Sequence, residues 1–177
     1  MAALDLRHEA WLAADAGWRS KRGGQHAPEG SVTWIVTADA VEARVFTERR
    51  RAGELRELPE LRMTASEAER NAGRRQSVTV HQRTGAGRHG AGERSPEHEA
   101  ERRFLNRVVA RLAQGAARGE FDRLVLMAPP HALGALKQAL PPAVAARVDA
   151  TDPHERKQDD AEALRRHLRD ARARTSA

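Results

Sequence analysis

The sequence predicts an α/β fold, a mixed sheet with helices on both faces. Three observations carry this. A charged amphipathic segment, EHEAERRFLNRVVARLAQGAARG, runs directly into the short apolar run FDRLVLMA and then into PPHALGALKQAL. That is helix, buried strand, helix, the pattern of a strand covered on both sides. Upstream, VTWIVTA is a continuous apolar run of strand length, rich in β-branched residues. Only Asp39-Ala40 separates it from the alternating segment VEARVFTE, so the two pair as an antiparallel hairpin.

The elements follow in order. LDLRHEAWLAADAGWR places Leu4, Trp11, Leu12 and Trp18 at loosely helical spacing, and SKRGGQHAPEGS reads as a linker. Residues 1–31 are therefore an N-terminal helix and linker, 32–172 a single α/β domain, and 173–177 a tail. After the hairpin, ELRELPEL supplies a third strand through Leu55 and Leu58, and Pro59 marks an edge or a strand end. SEAERNAGRRQ reads as a short helix and SVTVHQR as a brief strand. TGAGRHGAGER, with glycines at 85, 87, 90 and 92, reads as a mobile loop.

Ser95-Pro96 opens a long helix, Ser as cap and Pro in the first turn, with Glu97 and Glu99 facing the positive end of its dipole. Ala100, Phe104, Leu105, Val108, Val109, Leu112 and Ala116 form its apolar stripe, and Gly119 stops it. Leu133, Leu136 and Leu140 mark the next helix, which Pro141-Pro142 ends. A last strand spans about 147–151. The final helix is capped by Asp159 or Asp160 and buries Ala161, Leu164, Leu168 and Ala171. A hairpin or meander followed by αβ crossovers gives the mixed sheet.

Composition narrows function by exclusion. The chain has 177 residues, 40% hydrophobic and 3% aromatic, so Leu, Val and Ala fill the core. The net charge is +6, and residues 44–94 hold 12 Arg against 7 Glu. A basic surface suits acidic partners such as RNA, ribosomes or anionic lipid; an Arg- and Ala-rich coding bias produces the same balance. With no cysteine, disulfides and thiolate chemistry are excluded. No signal peptide or membrane span is readable, and a cytoplasmic location is expected. The oligomeric state is not legible.

The residues WIVTADAVEARVF, GRHG, SPEHEAERRFLNRVVARL, GEFDRLVLMAPPHALGALKQAL and the terminal LRRHL together resemble the bacterial family named "protein required for attachment to host cells". The resemblance covers about residues 32–170. That family is similar in turn to the middle domain of archaeal and eukaryotic class-one release factors and of Pelota. This implies a ribonuclease-H-like sandwich and a setting in translation termination or ribosome rescue. Release factors act through a Gly-Gly-Gln tripeptide in a loop between the opening strands and the long helix. Gly23-Gly24-Gln25 lies before the first strand instead, and the matching loop, Thr84 to Arg94, has none.

The candidate site is that glycine-rich basic loop. Glycines expose backbone N–H groups, and Arg83, Arg88 and Arg94 offer bidentate pairing to phosphate, with His89 as a further contact. The same composition also fits a solvated loop that touches nothing. His81, His89 and His98, spaced by eight and nine residues, lack the tight pairing of metal ligands. Neither a metal nor a cofactor is expected. Asp39 ends the first strand, where α/β folds place function, but its expected role is to shape the hairpin turn. Asp39 could also approach Asp149 or Asp152.

The leading expectation is a non-catalytic domain that binds RNA or ribosomes. The alternatives are a hydrolase acting on peptidyl-tRNA or phosphodiesters, and a protein-interaction role in attachment to host cells.

Overall fold

The computed structural model describes residues 30–67, 69 and 96–175. Strands β1 (Thr33–Ala38) and β2 (Glu42–Glu48) form the predicted hairpin. They are followed by β3 (Leu55–Glu57), a 3-10 turn (Pro59–Leu61) and β4 (Met63–Thr64). Helix α1 (Pro96–Ala117), β5 (Arg123–Met127), α2 (Pro130–Ala139), α3 (Pro142–Ala145), β6 (Val148–Asp152) and α4 (Ala161–Thr175) complete the order. The sheet runs β3-β2-β1-β5-β6, with β4 also against β2. β1 pairs antiparallel with β2 (Val36 opposite Val45) and parallel with β5 (Trp34 opposite Leu124). The sheet is thus mixed. The finer ribonuclease-H-like assignment stays an implication of the resemblance.

All six residues of β1 are buried, because the strand separates two cores. Trp34, Val36 and Ala38 pack with Phe104, Leu105, Val108, Leu112, Leu133 and Leu136 of α1 and α2 on one face. Ile35 packs on the other face with Phe46, Val125 and Met127 against Leu164, Leu168 and Ala171 of α4. Alternation along a strand sends successive side chains to opposite sides, so six apolar or small residues in a row require cover on both. The predicted stripes of α1 and α4 pack, except that Ala100 stays outside the core and Ala161 is only partly buried at the margin.

The helix ends follow their local chemistry. After α1, Gly119 takes φ +68°. Its N–H donates to Ala116 O at 3.2 Å and that of Glu120 to Gly115 O at 2.9 Å, a Schellman closure that favours glycine. Asp160, not Asp159, caps α4, its Oδ1 accepting the Ala163 N–H at 2.8 Å. The apolar seat of α4 also holds a charge pair. Arg172 donates to buried Glu48 at 2.7 Å and to Asp149 at 3.1 Å.

Two details depart from the sequence reading. The last strand lies one residue later, at Val148–Asp152. β4, two residues long, was not expected. Ser66 and Glu69 exchange hydrogen bonds, the Ser66 N–H to Glu69 Oε2 at 2.6 Å and the Glu69 N–H to Ser66 Oγ at 3.2 Å. This is a capping box, and Arg107 of α1 holds it through Glu69 at 2.7 Å.

Two stability predictions follow from packing. A Cβ on Gly115 would lie 2.8 Å from the ring of Trp34. Alanine there gains about 1 kcal/mol of helix propensity but overpacks a filled core, so Gly115→Ala should be a net loss of about 1–2 kcal/mol in urea unfolding. In a Trp34→Phe background the same change should become neutral or stabilising. Arg172→Met should cost about 3–5 kcal/mol by leaving Glu48 buried and unpaired, and adding Glu48→Leu should recover most of it.

Candidate functional site

The carboxyl ends of β1, β5 and β6 lie together, since these three strands are parallel. The chain leaves β1 toward β2 and leaves β5 toward β6 on the other side. Such a divergence is where open α/β sheets place ligands. Asp39 follows β1 directly. Its Oδ1 accepts the N–H groups of Val41 and Glu42 at 2.8 and 2.7 Å, closing the turn. Its Oδ2 accepts Lys157 Nζ at 2.7 Å, from 118 residues away. Arg44 of β2 adds a second clasp. Its Nη1 donates to the carbonyls of Lys157 and Asp159 at 2.7 and 3.0 Å, while Nε and Nη2 grip Glu57 at 2.9 and 2.7 Å. Loop 153–160, between β6 and α4, is thereby fastened to the hairpin.

The electrostatics agree with the geometry. Burial opposes the charge on Asp39, but Lys157 and the two backbone donors outweigh it and hold the carboxyl below its ordinary value of 3.8. Asp39 raises Lys157 in turn. Hydrogen bonding to Glu57 raises Arg44, and hydrogen bonding to Arg44 lowers Glu57.

Asp152, at the end of β6, is fully buried. Its Oδ1 lies 2.6 Å from His154 Nδ1 and 3.1 Å from Arg174, and its Oδ2 accepts Arg156 Nε at 3.0 Å. Burial again opposes ionisation, and the hydrogen bonds from His154 and Arg156 overcome it, so Asp152 also ionises below 3.8. The side chain of His154 is 59% exposed. The buried carboxylate thereby fixes the orientation of an exposed imidazole. Among the described residues no hydroxyl hydrogen-bonds to its Nε2.

Of the sequence-derived candidates, Arg83, Arg88, His89 and Arg94 lie outside the described residues, as do Gly23-Gly24-Gln25 and His81. The turn-shaping role of Asp39 holds. Asp39 does not converge with Asp149, which stands near the amino end of β6 beside the start of β5, and Asp152 at the carboxyl end has its own cations. Asp149 pairs with Arg123 at 2.9 Å and with Arg172 at 3.1 Å. Among the described residues no group of three or more His, Asp or Glu is placed to hold a metal. Sequence reasoning missed Lys157, Arg44 and His154. The tripeptide Asp-Pro-His at the end of β6 was the available signal for the last. It also missed that His98 and His131 meet, with ring centroids 5.0 Å apart and His131 Nδ1 3.1 Å from Glu101.

The family model described as "Protein required for attachment to host cells" matches residues 34–168, from the second residue of β1 to Leu168 in α4. The chain belongs to this family. The match spans both cores and loop 153–160. No curated protein matches the chain closely enough to count as a relative. The likeness to release factors takes no support from the family match.

The Asp39 cluster has a definite pH signature. Asp39→Ala removes a turn acceptor and the partner of Lys157, and should cost about 2 kcal/mol near neutral pH. Lys157→Met should cost less than about 1 kcal/mol, because that amine is partly solvated. The folded-state value of Asp39 is depressed, so its contribution is present above 3.8 and lost as pH falls through the lower folded value. Lys157 is raised, so its part is present below 10.5 and lost as pH rises through the folded value. Chemical denaturation of parent and variant at about pH 7 and about pH 2 should show the Asp39→Ala difference shrinking in acid.

Proposed function

We propose that the protein serves attachment to host cells as a binding module, without covalent chemistry of its own. The carrying observation is the family match over residues 34–168, which takes in every strand except the first residue of β1 and most of α4. The site geometry supports it. Asp39 and Asp152 are each held below the ordinary carboxylate value by internal partners, and they fix in place the surface at the carboxyl end of the sheet rather than stand free to trade protons. Loop 153–160, clasped by Arg44 and Asp39, and the neighbouring α4 present that surface. The RNA and ribosome reading rests on Arg83, Arg88, His89 and Arg94, which lie outside the described residues, and attachment takes precedence because the family match bears on it directly.

The reading is tested with cells lacking the chain. Attached cells per host cell should fall, and the full chain supplied in trans should restore them. Equal attachment with and without the chain would end this reading. His154→Ala should complement like the parent; failure of that variant alone, with the fold intact by circular dichroism, would argue for chemistry at the Asp152–His154 pair.

A further inference from the structure

Arginines on much of the described surface are matched to carboxylates, as in Arg44–Glu57, Arg107–Glu69, Arg111–Glu120 and Arg123–Asp149. Around the β2–β3 turn the matching stops. That turn, residues 49–54, stands between two open depressions. One, about 270 Å³, lies against α4 and is lined by Arg51, Arg165 and Arg169 over an apolar floor of Ala52, Leu168 and Ala173. The other, about 360 Å³, is lined by Arg49, Arg50 and Arg56 beside Leu58. Among the described residues none of these six arginines forms an ion pair. The Nε of Arg165 is buried with no hydrogen-bond partner.

The acidic groups nearby do not cancel this charge. Glu48 in the first depression is already neutralised by Arg172 at 2.7 Å, and Glu54 alone faces three arginines in the second. The turn itself is held in shape. Ala52 takes φ 62°, and the Gly53 N–H donates to Arg50 O at 2.7 Å. A non-glycine residue held in that region is a cost that surrounding structure must sustain, and here it sets three consecutive arginines on the ridge between the depressions.

We propose that this ridge and its two depressions bind an acidic polysaccharide. This deepens the attachment reading and rests on it, since cell surfaces present such chains. The guanidinium fork matches carboxylate and sulfate groups alike. The apolar lining, Ala52, Leu168 and Ala173 in one depression and Leu58 in the other, suits the faces of sugar rings. No aromatic side chain lines either depression, whereas single-stranded nucleic acid is held largely by stacking on aromatic rings.

The purified full chain is titrated with polygalacturonate, which carries carboxylates, with dextran sulfate, and with neutral dextran and single-stranded RNA of similar length, at low and at moderate salt. Arg51→Glu/Arg169→Glu alters two exposed residues, and its thermal unfolding is compared with the parent. Lys137→Glu, on α2 across the sheet, makes the same kind of charge change elsewhere. The expected result is binding to one acidic polysaccharide, not to neutral dextran, weakened about tenfold or more by the double variant and little by Lys137→Glu. The preferred chain identifies carboxylate or sulfate as the recognised group. Tighter binding to RNA than to either polysaccharide, equal loss in Lys137→Glu, or an unaffected double variant each overturns the assignment. Attachment assays separate the two levels. If the chain is needed for attachment yet binds neither acidic polysaccharide, the groove assignment fails and the attachment reading stands. If the double variant loses the polysaccharide but cells attach as before, the groove assignment stands and its role in attachment fails.

Discussion

One constraint organises this molecule: β1 must be covered on both faces and hydrogen-bonded along both edges. Its six residues are buried, and it borders an antiparallel partner on one side and a parallel one on the other. An antiparallel neighbour needs only a tight turn, which Asp39 supplies. A parallel neighbour needs a crossover that returns the chain to the starting end, and the long segment ending in α1 does this. Both cores are built outward from this strand, one per face. Loss of β1 would therefore leave neither core with a wall.

The second layer of organisation is electrostatic, and its members differ in weight. Glu48–Arg172 is deeply buried, so breaking it on one side exposes the other partner's desolvation cost. Lys157–Asp39 is partly solvated and acts mainly as a fastening, giving loop 153–160 one position over the hairpin. Arg44 does the same through two backbone carbonyls. Long loops carry little packing of their own, and side chains reaching across from a strand fix them where apolar contact cannot.

How much of this was legible depended on sequence distance. The strands and helices were readable because each is a local pattern, as in VTWIVTA and the Phe104–Leu112 stripe. Asp39 was readable because an aspartate two residues before a strand has one common use. Lys157 and Arg44 were not, because their partners lie far off along the chain: nothing in the order of residues joins 157 to 39, or 98 to 131. β4 escaped for another reason. Two residues cannot show a period, and its existence depends on pairing with Glu42 and Ala43. The basic glycine segment drew attention through composition, yet composition alone does not say what a loop touches, and the arginine ridge at residues 49–51 carried an equal signal within a turn that looked unremarkable.

The outer border of the sheet at β6 has a consequence of its own. A bare flanking strand invites another polypeptide to dock by extending the hydrogen-bond ladder. Here an extra residue interrupts the register between Leu124 and Val125, and Pro153 follows the strand at once. An irregular border and a missing donor discourage that kind of annexation. Among the described residues that border is therefore a poor template for an added strand.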